Sequence, residues 1–125
     1  MLTNKEKQKI RAKNLNDKTM STKEGHIKLI ASVRKCFALK SNIPFNVSLD
    51  YLISIAPDNC PVFGEPLLWA TRSKRQQPFS PSLDKICPEL GYIEGNVQWL
   101  SFKANVMKHN ASPVELKQFA EWVLK

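Results

Sequence analysis

No apolar run in this chain approaches the ~20 residues that a membrane-spanning helix needs, and the charged start MLTNKEKQK lacks the apolar stretch of a secretory signal. The expected location is the cytoplasm, with no membrane partner. Cysteine is sparse and poorly placed for cross-linking. Cys36, Cys60 and Cys87 are odd in number, widely spaced and without a CxxC pair, which suits reduced thiols and argues against a disulfide frame or a structural zinc. Acidic residues are outnumbered, with 11 Asp+Glu against 19 Lys+Arg, for a net charge of +8. That balance favours polyanions, with nucleic acid first among them, over acidic partners in general. Internal repeats and low-complexity segments are absent.

What is present suits one compact α+β domain. The chain has 125 residues, enough for a single core, and its hydrophobic (42%) and charged (24%) fractions are those of an ordinary soluble globular protein. Residues 1–22 form a basic N-terminal extension, helical only if something docks it, and residues 23–125 the domain. The positive charge is concentrated at the start, where Lys5, Lys7, Lys9, Arg11, Lys13, Lys18 and Lys23 face only Glu6, Asp17 and Glu24. A solvated tail and a phosphate-contacting arm are both consistent with that.

Along the domain, apolar residues at Ile30, Val33, Cys36 and Phe37, flanked by Ile27 and Leu29, predict a core helix from Lys23 to Lys40. Residues 43–47 alternate as a short strand, and Ser48 caps a short helix ending near Ile55. CPVFGEPLLW is an apolar segment bent at Gly64–Pro66, and ATRSKRQQP is a basic loop whose Arg72, Lys74 and Arg75 are candidate phosphate contacts. Residues 82–86 and 97–100 pair as antiparallel strands across a long turn. Ser101 caps a helix from Phe102 to Lys108, ended by Asn110, with Lys103 and Lys108 as further candidate DNA contacts. The Ser112-Pro113-Val114-Glu115 capping box opens a last helix with Leu116, Phe119, Ala120 and Val123 on its apolar face.

The stretch SPSLDKICPELGYIEGNVQWLSFKANVMKH, residues 80–109, concentrates the chemistry. A helix laid across the hairpin faces Asp84, while Asn105 and His109, four apart, share one helix face. A carboxylate, an amide oxygen and an imidazole meeting there are competent ligands for a divalent cation, which in turn could stabilise a phosphodiester under attack. Taken singly, Asp84 suits a salt bridge, Asn96 a positive-φ turn, Asn105 a solvent-facing helix position and His109 a helix-end cation.

Over residues 60–109 the pattern resembles the HNH endonucleases, the ββα-metal or His-Me finger family. Asp84-Lys85-Ile86-Cys87-Pro88 stands where the family has Asp-His-Ile-x-Pro, Asn96-Val97-Gln98 opens the second strand, and Asn105 and His109 follow in the helix. A wider likeness, over about residues 26–125, is to HNH-like proteins of bacteriophages, which would make the location a host cytoplasm. The resemblance implies a ββα-metal core over about 80–109 and metal-dependent DNA hydrolysis, most simply nicking, by a monomer or homodimer using Mg²⁺ or Mn²⁺. It implies Asp84 and His109 as metal ligands, Asn105 as a third ligand or its support, and Asn96 as the residue orienting the base. The chain departs from the family at Lys85, which stands where the base histidine belongs. A lysine of ordinary pKa is protonated at neutral pH and cannot take a proton from water, so Lys85 would need a large downward shift to act as the base, and is otherwise a candidate for binding the scissile phosphate or stabilising charge in the transition state. A catalytically impaired HNH-fold protein that binds or regulates is the alternative. Many HNH domains also carry a zinc knot of two CxxC pairs, at positions that the resemblance matches here to Cys60, Phe63, Ser101 and Ala104.

Overall fold

The computed structural model of the chain describes residues 1–19, 21–71 and 76–125, the side chains of 12–19 excepted. The architecture is α+β. In chain order it comprises α1 (Asn4–Thr19), α2 (Lys23–Lys40), β1 (Phe45–Asn46), α3 (Leu49–Ser54), β2 (Pro81–Lys85), β3 (Tyr92–Ile93), β4 (Val97–Ser101), α4 (Phe102–Lys108) and α5 (Pro113–Val123). A 3₁₀ turn at Pro88–Leu90 precedes β3.

The helix starts follow local chemistry. Thr22, Ser48, Ser101 and Ser112 each accept a backbone N–H from the first turn of their helix, and Ser112 with Glu115 completes the reciprocal capping box. Two helix and turn details differ from expectation. His109, at φ 47°, ends α4 in place of Asn110, and Gly95, at φ 83°, supplies the left-handed turn residue in place of Asn96.

β2 and β4 pair antiparallel, with Asp84 opposite Gln98 and Lys85 opposite Val97, while β1 pairs parallel with β3. The strand expected over 43–47 shrinks to two residues because only Phe45 and Asn46 find a partner, at Tyr92 and Ile93. Gly91 makes that approach possible: its φ is 76°, and a Cβ there would lie 2.7 Å from the Pro44 carbonyl oxygen.

The core gathers Ile27 and Ala38 of α2, Leu52 of α3, Leu83 of β2, Tyr92 of β3, and Val97 and Trp99 of β4. Trp99 donates its indole N–H to the Leu52 carbonyl at 3.0 Å, so its one polar atom is satisfied inside. A smaller cluster holds Cys60, Leu67, Leu100 and Ala104. The expected stripe on α2 is rotated. Ile27, Ile30, Ala31 and Ala38 face the core, whereas Val33, Cys36 and Phe37 are exposed, because the hairpin and α3 pack on the side that begins at Ile27. On α5, Phe119 and Val123 are likewise exposed, since no described element covers the far side of that helix.

Among the described residues no helix is long and apolar enough to cross a membrane.

Candidate functional site

β2 and α4 organise the polar residues. Side chains alternate along a strand, so Ser82 and Asp84 share the face of β2 toward α4, while Lys85 points to the other face. On α4, Asn105 and Lys108 are three apart and lie over that pair, one above each. The Asn105 amide N–H donates to Ser82 Oγ at 2.6 Å. Lys108 Nζ donates to Asp84 Oδ1 and lies 3.3 Å from each carboxylate oxygen.

Asp84 and Lys108 are both buried, at 6% and 9% exposure, so this is an ion pair removed from water. It is well supplied with partners. Gln98, opposite on β4, donates to Asp84 Oδ2 at 2.9 Å, and Lys108 gives a second hydrogen bond to the Lys85 carbonyl at 2.9 Å. Each buried charge therefore meets its counter-charge and a neutral dipole, the condition under which such a pair is tolerated. Asp84 is thus one end of a salt bridge, and Lys108, expected on a DNA-facing surface, turns its ammonium inward.

Asn105 and His109 also open onto the surface. They line a groove of about 360 Å³ between α2 and α4, together with Arg34, Gln76 and Ser82. Asp84 is not among its lining residues. Of the three residues expected to converge on one metal, Asp84 is engaged by the ammonium of Lys108, while Asn105 and His109 line a groove that Arg34 also lines. A divalent ion fits neither half well: at Asp84 it would displace a buried cation, and in the groove it would face one. Among the described residues no three His, Cys, Asp or Glu side chains are grouped as a metal site.

Lys85, from which the resemblance led one to expect a phosphate contact, lies 5.3 Å from the centre of the Tyr92 ring, on the side of β2 away from Asp84. Burial pushes the Tyr92 phenol above its ordinary value, and the nearby Arg34 guanidinium offsets part of that rise. Asn96 stitches a loop. Its Oδ1 accepts the Cys87 N–H at 2.9 Å, and its Nδ2 donates to the Cys87 carbonyl at 2.9 Å and the Gly91 carbonyl at 2.7 Å. Its bonds go to the backbone of that turn rather than to Lys85.

Cys60, Ser101 and Ala104 meet in the smaller core. Cys60 donates to Ser101 Oγ at 3.3 Å, and the same oxygen accepts the Ala104 N–H at 3.1 Å. Phe63 sits outside them, edge-on to Phe79 and 5.7 Å from the Lys103 ammonium, which is exposed. Arg72, Lys74 and Arg75 lie outside the described residues.

Gln98, Arg34 and Ser82 are the site residues that sequence reasoning missed, and Lys108 was expected in another role, as a DNA contact. A usable signal existed for two of them: Ser82 and Asp84 alternate onto one strand face, and Lys108 follows Asn105 at a helical i+3 spacing. Gln98 and Arg34 depended on strand register and on how α2 docks.

Comparison with family models, with curated proteins and with solved structures finds no match for this chain.

Proposed function

We propose that this chain is a DNA-binding protein on an HNH-like ββα unit that binds without hydrolysing. The observation that supports the second half of this reading is the Asp84–Lys108 pair, an ammonium held on the carboxylate that the resemblance implies as a metal ligand. The first half is supported by the net charge of +8 and by the order β2, β4, α4, in which the helix crosses the hairpin as the resemblance implies. The meeting of Cys60, Ser101 and Ala104 adds support, because the resemblance matches these positions to the zinc knot of HNH domains, and here a thiol–hydroxyl hydrogen bond and the Ala104 backbone N–H join them. Lys85 stands where the resemblance puts the base histidine, and Asp84 has both oxygens engaged.

The second reading is a metal-dependent endonuclease, in which Mg²⁺ or Mn²⁺ displaces Lys108 from Asp84. The retention of Asp84, Asn105 and His109 at the family's spacing favours it. One experiment separates the two. Purified protein is incubated with supercoiled plasmid and Mg²⁺ or Mn²⁺, beside Asp84→Ala, while binding to the same DNA is followed by gel shift. Binding without nicking is the expected result. Nicking by the native protein that Asp84→Ala abolishes would establish the endonuclease, and absence of binding at low salt would remove both readings.

A further inference from the structure

We infer that the groove between α2 and α4 is a site for a phosphate oxyanion, supplied by a DNA backbone. This rests on the DNA-binding reading and gives it a location. The polar lining consists of Arg34, Gln76, Ser82, Asn105 and His109, and no Asp or Glu is among the described lining residues. Every one of those five side chains can donate a hydrogen bond.

Arg34 supplies the permanent charge. Its guanidinium packs 4.9 Å from the centre of the Phe37 ring and lies near the Tyr92 phenol, and among the described residues no carboxylate pairs with it. A planar fork of N–H groups held this way is matched to phosphate oxygens. Ser82 Oγ already accepts from Asn105, so its own proton is free to donate elsewhere. Such a lining attracts an anion and repels a divalent cation.

The backbone at His109 is the second, independent observation. Its φ of 47° and ψ of −126° belong to a region that glycine occupies freely and other residues only under strain. The side chain is exposed, so core packing does not require an imidazole there. A strained, exposed histidine on the lip of a donor-lined groove is accounted for if the imidazole touches the ligand.

The test uses the full chain, a short labelled duplex and fluorescence anisotropy over a range of salt. Arg34→Gln is expected to weaken binding about tenfold and to reduce the slope of log K against log salt by about 0.9, the contribution of one phosphate contact. His109→Gly is expected to raise Tm while weakening binding several-fold, a pair of opposite movements that a merely structural histidine does not produce. Lys117→Gln, on the exposed side of α5, is the control and should bind as the native chain does. Arg34→Lys, which keeps the charge and loses the fork, replaces Arg34→Gln if that variant fails to fold. Native binding that neither the Arg34 variant nor His109→Gly weakens overturns the site and leaves the DNA reading intact. A native chain that does not bind the duplex overturns both. Titration with inorganic phosphate, followed by the NMR signals of His109, separates the source: an Arg34-dependent response to free phosphate without duplex binding would assign the groove to small phosphates and overturn the DNA backbone as its ligand.

Discussion

Lys108 and Asp84 face each other across the contact between α4 and β2, 3.3 Å apart and almost wholly out of water. The pair joins the helix to the hairpin and at the same time occupies the carboxylate on which metal chemistry would depend. Removing one partner strands the other charge. Lys108→Met should therefore destabilise the protein by about 3–5 kcal/mol, visible as a fall in Tm of about 10 °C or more, whereas Asp84→Leu with Lys108→Met should recover much of the loss. A Lys108→Met protein as stable as the native one would show that the pair is not formed in solution.

Metal should have little to hold. Mg²⁺ or Mn²⁺ at millimolar concentration is expected to leave the Tm of the native chain unchanged, because an ion that binds only the folded state must raise it by mass action. Lys85→His by itself is not expected to produce nicking, since it restores a base while Lys108 still occupies Asp84. A metal-dependent rise in Tm that Asp84→Ala removes would favour the endonuclease.

Asn96 makes three hydrogen bonds to the backbone of the 87–91 turn from a buried position. Asn96→Ala leaves the Cys87 N–H and the Cys87 and Gly91 carbonyls without that partner, at a cost of about 3 kcal/mol. Asn96→Asp should cost nearly as much, because a carboxylate cannot donate to the two carbonyls. Chemical denaturation measures both.

His26 predicts a pH dependence. It is buried beside Trp69, with rings 5.8 Å apart, and its Nδ1 accepts the Ala70 N–H at 3.1 Å, so the neutral form is the one that fits. Burial lowers its pKa from the ordinary 6.5. The unfolded chain therefore binds a proton first as pH falls, and stability present above pH 6.5 is lost as pH drops through that value toward the folded pKa. Tm should decline from pH 7 to 5, and His26→Gln, whose amide oxygen can accept the same N–H, should flatten that decline. An equal slope in both proteins would assign the acid sensitivity to other groups.

Helix caps, the capping box of α5 and the pairing of β2 with β4 were legible in the sequence because each depends on neighbours a few residues apart or on strict alternation. So were the basic charge balance and the salt-bridge option for Asp84. The partner of Asp84, the groove that Asn105 and His109 line with Arg34 and the exposed side of α2 were not. They depend on which face of α4 meets β2 and on how α2 rolls against the hairpin, and both are decided when Trp99, Ile27, Leu52 and Leu83 pack into one core. Residue types and spacing determined that a carboxylate, an amide and an imidazole would lie near one helix and hairpin. Only the tertiary structure decided that a lysine reaches the carboxylate, because a turn of 3.6 residues places Lys108, and not His109, over Asp84.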